Sequence, residues 1–137
     1  MLCVSPKKTE WVAMKMKRHV LVVDDEKSTL ALVCQLLEKL GHHTTPVHGG
    51  EEALKSLAND VDIDFVLTDI NMPVMDGWEL AGRIKAMHPN LPIIAMTGEC
   101  PAEVMPRLKN EGISAALFKP FKMNQLKEAV SGGLALA

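Results

Sequence analysis

Two stretches of the chain indicate its fold: residues 19–25, which read HVLVVDD, and residues 65–69, which read FVLTD. Each is a nearly continuous apolar run that ends at a carboxylate. Such runs are typical of strands that are buried on both faces of a parallel sheet. A further run, IIAM at residues 93–96, has the same character. The three runs therefore predict central strands of one parallel sheet.

Segments of helical periodicity alternate with these strands. Two more strands are predicted, at residues 44–47, where Pro46 favours a sheet edge, and at residues 115–118. Apolar residues at helical spacing predict helices at 30–40, 51–58, 80–87, 101–111 and 123–130. Pro106 lies inside the fourth of these helices, which should therefore be short, kinked or late to start. Residues 131–137 should form a loose tail.

The strand–helix order, repeated five times, predicts the α/β class. Such alternation requires a parallel sheet with right-handed crossovers. Five strands in so short a chain favour a doubly wound, flavodoxin-like sheet of order 2-1-3-4-5, with five helices on both faces. Ligands of these sheets bind outside the carboxyl ends of the strands, near the point where the strand order reverses.

Length and composition limit the class of protein. The 137 residues, 47% hydrophobic and 23% charged, suit a single globular domain. No apolar run reaches the roughly 18 residues that a membrane-spanning helix needs. The N-terminus also has no apolar signal segment. We therefore expect a soluble, cytoplasmic protein that makes no contact with a membrane.

Charge divides the chain unevenly. Residues 1–18 carry five basic groups and one acid, whereas the remainder carries 10 basic and 16 acidic groups. So acidic a domain is a poor nucleic-acid binder, because phosphate contacts require clustered Lys and Arg. We expect a flexible basic arm over 1–18, a domain over 19–131 and a short tail over 132–137.

The cysteines and histidines do not indicate a disulfide framework or a zinc site. The cysteines are Cys3, Cys34 and Cys100. Their odd number and unpaired spacing are typical of incidental thiols. His42, His43 and His48 are close in sequence, but no Cys or carboxylate stands near them at the spacing that zinc ligands show.

Polar residues stand where the predicted strands end. Asp24 and Asp25 follow the first strand, and Asp69 follows the third. Three carboxylates at one edge repel one another unless a cation lies among them, and hard oxygen ligands favour Mg²⁺. Thr97 and Lys119 follow the fourth and fifth strands and suit phosphoryl oxygens. Together, these groups indicate a phosphoryl-handling site.

These motifs resemble those of the response-regulator receiver domain, the phospho-accepting module of two-component signalling. The matching segments are VVDDE at 22–26, DINMPVMDG at 69–77, MTG at 96–98 and FKPF at 118–121. The resemblance covers about residues 19–131. Among receivers, the chain is similar to the chemotaxis type, which stands alone without an effector domain.

The resemblance implies a role for each acidic site residue. Asp69 would accept a phosphoryl group from the phosphohistidine of a sensor histidine kinase or a histidine phosphotransfer protein. Asp24, Asp25 and Asp69 would hold Mg²⁺, or Mn²⁺ in its place. The backbone carbonyl of Asn71 would complete the protein's share of the metal ligands.

The resemblance also implies how the phosphoryl group is held and what it does. Thr97 and Lys119 would hold its oxygens, and the bond from Lys119 to Pro120 would be cis. The chain would then be a signalling module, and not an enzyme beyond its own phosphorylation and dephosphorylation. Phosphorylation would switch a protein-binding face on the fourth helix, last strand and last helix. The rim of that face could be formed by Glu103, Lys109, Lys122, Lys127 and Glu128, although charged helix faces are often simply solvated. The outer side of the first helix, with Thr29, Ala31, Leu32 and Gln35, would resemble the kinase-docking surface.

Four positions refine this interpretation. Ala116 stands where most receivers have an aromatic residue that moves inward on activation. Phe118 lies on the same side of the strand. Either it takes over part of that packing, or signalling omits the aromatic switch, or Phe118 is simply a core residue. Asn71 and Glu99 flank the path of a hydrolytic water, as in the chemotaxis type, which implies a short-lived phosphoryl-aspartate.

Two alternatives remain open from the sequence. Phosphatases of the haloacid-dehalogenase type have a similar fold, but they place a second Asp two residues after the nucleophile, where this chain has Asn71. The chain is also compatible with a fragment of a larger regulator or hybrid kinase, because Gly132-Gly133 resembles the start of a linker.

Overall fold

The computed structural model describes residues 17–59 and 62–136, which contain five strands and five helices. The strands β1 to β5 are His19–Val23, His43–Val47, Phe65–Asp69, Ile93–Thr97 and Ala115–Phe118. The helices α1 to α5 are Lys27–Lys39, Gly50–Asn59, Gly77–Met87, Pro101–Glu111 and Met123–Leu136.

All the strands are parallel, and their order is β2-β1-β3-β4-β5. The predicted doubly wound sheet of order 2-1-3-4-5 is therefore confirmed. Every residue of β3 and β4 is buried, as the apolar runs predict. The register places Val23 beside Thr68, and Asp69 beside Met96. It follows that the carboxyl ends of the three central strands meet at one edge.

Two apolar clusters cover the two faces of the sheet. On one face, side chains of β1 and β3 pack with Leu30 and Leu37 of α1 and with Leu126 of α5. On the other face, α2, α3 and α4 pack against the alternate side chains of the same strands, with Leu80 and Ile84 of α3 fully buried. The burial of both faces explains the continuous apolar runs of the central strands.

The helices begin and end at residues suited to those places. The side chain of Asp76 accepts the backbone N–H of Glu79 at 2.8 Å and caps the start of α3. Pro101, which has no N–H to leave unpaired, is the first residue of α4. Gly41 and Gly112 follow α1 and α4 with φ of 94° and 75°, a left-handed conformation that favours glycine.

The last two helices differ from what the sequence predicts. α4 begins at Pro101 and contains Pro106, so it neither starts late nor is cut short. Pro106 removes one N–H, but it and Ala102 are exposed, and water can satisfy the Ala102 carbonyl. α5 continues to Leu136, so the backbone of 131–136 is helical and not a loose tail. The Gly132-Gly133 pair lowers helix propensity by about 1 kcal/mol per residue but does not forbid a helix.

The basic arm predicted over 1–18 lies outside the described residues except for Lys17 and Arg18. Arg18 is tied to β2, because its N–H donates to His42 Nδ1 at 3.0 Å and its carbonyl accepts the N–H of His43 at 2.8 Å. Cys34 is a buried free thiol and Cys100 an exposed one. None of the helices in the described ranges has the length and apolarity needed to cross a bilayer.

Candidate functional site

Three carboxylates meet at the carboxyl ends of β1 and β3. One carboxylate oxygen from each of Asp24, Asp25 and Asp69 lies within 4.8 Å of the other two. Asp24 and Asp69 are buried, whereas Asp25 is exposed. Within the described residues, this is the one group of three or more acids, histidines or cysteines that is close enough to share a metal ion. His42, His43 and His48 are not members of this group.

Asp24 is the most deeply buried acid of the cluster, with no exposed surface. Its Oδ1 accepts the backbone N–H of Glu26 at 2.9 Å, where the chain turns from β1 into α1. Its Oδ2 lies 3.4 Å from Nζ of Lys119, which arrives from the end of β5. The N–H bond and the ammonium together make burial of this carboxylate possible.

Asp69 is the last residue of β3 and is 6% exposed. Its Oδ1 accepts the N–H of Asn71 at 3.3 Å and lies 3.5 Å from Nζ of Lys119. Burial raises the pKa of the Asp69 carboxyl, and Asp24 raises it further, whereas Lys119 opposes the shift. A cation among the three acids would relieve this repulsion, so the donor set suits a hard divalent ion.

Thr97 ends β4, and Lys119 directly follows the neighbouring strand β5. Thr97, the last residue of β4, is fully buried, and its Oγ1 accepts the N–H of Glu99 at 3.0 Å. The N–H of Lys119 donates to the carbonyl of Thr97 at 2.7 Å, which aligns the two residues across β4 and β5. The peptide bond between Lys119 and Pro120 is cis, as the resemblance implies.

The positions expected to modulate the site lie around it. Asn71 and Glu99 are both exposed, on the loops that follow β3 and β4. Phe118 and Ala116 each pack against the cluster shared with α2, α3 and α4. The prediction that these two residues face the same side of β5 is therefore confirmed. Both are only partly buried, so Phe118 is not enclosed in the core.

Gly77 is a part of the site that the sequence reasoning did not single out. A Cβ at this position would lie 2.5 Å from the carbonyl oxygen of Asp69 and 2.7 Å from Cα of Ile70. The N–H of Gly77 donates to the carbonyl of Ile70 at 2.8 Å. The start of α3 is thus packed directly on the backbone of Asp69. The Asp76-Gly77 pair marks a turn in the sequence, but the close approach is visible only in the fold.

Val74 is the second feature that the sequence did not reveal. It has φ of 70° and is 98% exposed. The N–H of Met75 donates to the carbonyl of Pro73 at 2.8 Å, so Val74 is the central residue of a γ-turn with positive φ. A β-branched residue is strained in this conformation. The turn directs Met75 inward, where its Sδ fills the space that a side chain at Gly50 would need.

The site and the fold define a class: a doubly wound α/β domain with an acidic centre at the ends of β1 and β3, flanked by a buried threonine and a lysine. The family model described as the response regulator receiver domain matches residues 20–131. The chain belongs to this family, the receiver domains of two-component signalling. Receiver domains are signalling modules and not enzymes in the ordinary sense, which disfavours the haloacid-dehalogenase alternative.

Similar curated proteins are much longer than this chain. The sensor histidine kinase RcsC of Escherichia coli (strain K12) is 35% identical over 112 residues, which are 82% of this chain and 12% of that protein. The autoinducer 1 sensor kinase/phosphatase LuxN of Vibrio harveyi is 35% identical over 116 residues, 84% of this chain and 13% of that protein. The response regulator protein FleR of Pseudomonas aeruginosa is 32% identical over 85% of this chain and 24% of its own length.

Solved structures of similar size have the same fold. A response regulator receiver domain protein from Clostridium thermocellum is 28% identical with a TM-score of 0.81, over 87% of this chain and 95% of the other. The chemotaxis protein CheY4 of Vibrio cholerae is 29% identical with a TM-score of 0.79, over 84% of this chain and 97% of the other.

Proposed function

We propose that the chain is a phospho-accepting receiver in which Asp69 is the residue phosphorylated. One observation carries this proposal: Nζ of Lys119 lies within 3.5 Å of carboxylate oxygens of both Asp24 and Asp69. Asp25 and Thr97 lie at the same edge of the sheet. A carboxylate nucleophile then has an ammonium, a buried hydroxyl and a cluster of metal ligands around it. Phosphoryl transfer needs mainly this kind of positioning and charge neutralisation.

The transfer is a displacement at phosphorus. A carboxylate oxygen of Asp69 attacks the phosphorus of a phosphohistidine on the donor, and the phosphorus–nitrogen bond breaks. The electron pair of that bond stays on the imidazole of the donor, which leaves. Lys119 exchanges its contact with the Asp69 carboxylate for one with a phosphoryl oxygen, and the Thr97 hydroxyl donates to another.

Asp24, Asp25 and Asp69 are the residues that would hold Mg²⁺ or Mn²⁺, with the carbonyl of Asn71 as a further oxygen ligand. The fit rests on three converging carboxylates and on the raised pKa of Asp69 without a cation. When bound, the ion supplies positive charge against the phosphoryl oxygens. Asp24 is also engaged by Lys119 and by the backbone N–H of Glu26.

The donor we propose is a histidine kinase or histidine phosphotransfer protein, bound beside α1. Ala31, Leu32 and Gln35 are exposed there, as expected for a docking face. The downstream partner would bind α4, β5 and α5, where the five predicted rim residues Glu103, Lys109, Lys122, Lys127 and Glu128 are all exposed. A cytoplasmic location and the absence of direct nucleic-acid binding stay predictions.

We also propose that the phosphoryl group is short-lived. Asn71 and Glu99 are exposed on the two loops that border Asp69 and Thr97, where their side chains can orient a water for attack on phosphorus. Glu99→Lys should slow the decay by about tenfold, because it replaces a water-orienting carboxylate with a cation. An unchanged decay rate would contradict this role for Glu99.

The test of the proposed function is the intact mass after incubation with acetyl phosphate and Mg²⁺. We expect one phosphoryl adduct, which requires the metal and is absent from Asp69→Asn. Asp76→Asn is the matched control, since Asp76 is an exposed acid whose described role is to cap α3. An adduct that persists in Asp69→Asn, or wild-type protein that neither forms an adduct nor binds beryllofluoride, would refute the proposal.

A further inference from the structure

α4 is held to the sheet by few side chains. Two of its residues, Val104 and Leu108, are buried, whereas α1 has four buried residues, α2 has three and α3 has five. Because glycine has no side chain, α2 and α4 each bury two side chains, whereas α1 and α3 each bury four. α4 is therefore one of the two less firmly attached helices of these four, and any further contact contributes a larger share of what keeps it in place.

Arg107 supplies such a contact, on the side of α4 that faces α3. The guanidinium carbon of Arg107 lies 4.3 Å from the ring centroid of Trp78, a cation–π geometry. Trp78 is 7% exposed and belongs to the apolar cluster beneath α3 and α4. The Arg107 side chain is 52% exposed and also pairs with Glu111 at 3.4 Å, one turn along α4. The stacked guanidinium thus ties α4 to the first turn of α3.

Trp78 is itself connected to the backbone of Asp69. It follows Gly77, which approaches Asp69 and Ile70 so closely that a Cβ would clash at 2.5 and 2.7 Å. Ile70 and Trp78 lie in the same apolar cluster. A displacement of the Asp69–Ile70 backbone must therefore move the start of α3, and with it the ring on which Arg107 stacks.

We propose that the Arg107–Trp78 contact couples the Asp69 site to the position of α4. The contact is made in the arrangement in which the Asp69 carboxylate pairs with Lys119, and it stabilises that arrangement. This route runs through α3, and so it does not depend on the β5 position that Ala116 occupies. The inference rests on the proposed function, because it concerns how phosphorylation of Asp69 reaches α4.

Thermodynamic linkage between the Arg107–Trp78 contact and binding at Asp69 gives the expected change in affinity. If binding of a phosphoryl mimic breaks the contact, then the contact opposes that binding, and its removal must strengthen the binding by the same factor. A partly exposed cation–π pair corresponds to about a two- to fivefold change in a dissociation constant. Arg107→Ala should therefore bind beryllofluoride about two- to fivefold more tightly than the wild type.

The experiment uses the emission of Trp78 during titration with beryllofluoride in the presence of Mg²⁺. The chain has two tryptophans, so Trp11→Phe is the background in which Trp78 is the sole emitter. We expect the emission to change on saturation in this background. In Arg107→Ala the change should fall by about half or more, because the guanidinium over the ring is already absent.

Two control variants separate the stacking from general charge effects. Glu111→Gln removes the ion pair of Arg107 but keeps the guanidinium over the ring. Arg83→Ala removes an equally exposed arginine from α3, whose partner is Glu79 at 2.8 Å and which makes no described contact with an aromatic ring. Both variants should keep the wild-type affinity and emission change.

The results that overturn the coupling are specific. Arg107→Ala with wild-type affinity and emission change, or with weaker binding, would refute it. So would the same tightening in Arg83→Ala, since that would be an effect of charge alone. Fluorine NMR of the Trp11→Phe protein reports beryllofluoride binding independently of emission. No binding there would instead refute the proposed function, on which the coupling rests.

Discussion

Replacement of Gly77 by alanine is the perturbation for which the structure gives the sharpest expectation. The added Cβ would lie 2.5 Å from the Asp69 carbonyl oxygen, and ordinary contact begins at 3.4 Å. The two nearest atoms, the carbonyl oxygen of Asp69 and Cα of Ile70, are main-chain atoms at the buried end of β3, and the third is the side-chain Cδ1 of Ile70 at 2.9 Å. To remove this overlap, α3 and the end of β3 must separate by roughly 1 Å, the difference between 3.4 and 2.5 Å.

The expected cost follows from this overlap. Overpacking of a rigid interior costs about 1–3 kcal/mol, and a clash with backbone belongs at the upper end of that range. Alanine recovers less than about 1 kcal/mol of helix propensity. Gly77→Ala should therefore lower the free energy of unfolding by about 2 kcal/mol. It should also slow phosphorylation by acetyl phosphate about tenfold or more, since the backbone of Asp69 is displaced.

The same helix provides a matched control. Gly82 is exposed on α3, and nothing lies within 4 Å of a Cβ built there. Gly82→Ala should raise the free energy of unfolding by about 0.5–1 kcal/mol and leave phosphorylation unchanged. Urea unfolding followed by far-ultraviolet circular dichroism measures both variants. If Gly77→Ala is as stable as the wild type, then the close packing of α3 on Asp69 does not exist in solution.

Three further predictions concern strain and pH. Val74→Gly should raise the free energy of unfolding by about 1 kcal/mol, because it relieves the strain of an exposed valine at positive φ. Val74→Ala is the control: in the same urea unfolding experiment it should gain little stability, because alanine is strained at positive φ as well. Burial raises the pKa of Asp69, so the folded state holds that proton more tightly than the unfolded chain, and stability should fall as the pH rises from about 3.8 through the raised pKa. Asp69→Asn should therefore be more stable than the wild type at pH 7 without Mg²⁺, by on the order of 1 kcal/mol. Mg²⁺ should reduce this difference in stability, because it binds the wild type more tightly. A variant less stable than the wild type would contradict the repulsion between the Asp69 and Asp24 carboxylates. Burial, helped by Arg18, lowers the pKa of His42, so stability should be full above pH 6.5 and be lost as the pH falls through the lowered value. His42→Asn keeps an acceptor for the Arg18 N–H but does not titrate. Its melting temperature should therefore fall less than that of the wild type as the pH is lowered from about 7 to about 5, the range around the ordinary histidine pKa.

The beryllofluoride titration of Arg107→Ala extends these tests from the Asp69 site to α4, part of the face that a partner would bind. Gly77→Ala and Arg107→Ala perturb successive steps of one physical chain, from the Asp69 backbone to α3 and from α3 to α4. The first should damage both stability and phosphorylation. The second should leave the fold intact and change the affinity for the phosphoryl mimic together with the emission response of Trp78.

The sequence was sufficient to predict the sheet and to place polar residues at one edge of it. Buried parallel strands need apolar side chains on both faces, and this need is written in local runs such as residues 65–69. The position of a polar residue at the end of such a run then locates it at the carboxyl edge. Asp24, Asp69 and Thr97 could be assigned to one edge in this way, because each assignment depends only on its own strand and on the strand order.

Local signals were less reliable where several weak preferences compete. Pro106 and Gly132-Gly133 both disfavour a helix, yet α4 and α5 include them. Each costs a limited free energy, which the remaining helical hydrogen bonds can outweigh. Sequence gives the sign of these preferences, but the balance is set by the packing and exposure of the whole helix.

What only the tertiary structure decided are the contacts between residues far apart in the chain. The pairing of Lys119 with Asp24 spans 95 positions, and the stacking of Arg107 on Trp78 joins two helices. The approach of Gly77 to the Asp69 carbonyl and the positive φ of Val74 depend on how one loop closes over the sheet. Periodicity reports which face of an element is buried. It carries no information on which side chain from another element meets that face, because distance and angle are fixed only when the helices and the sheet pack together.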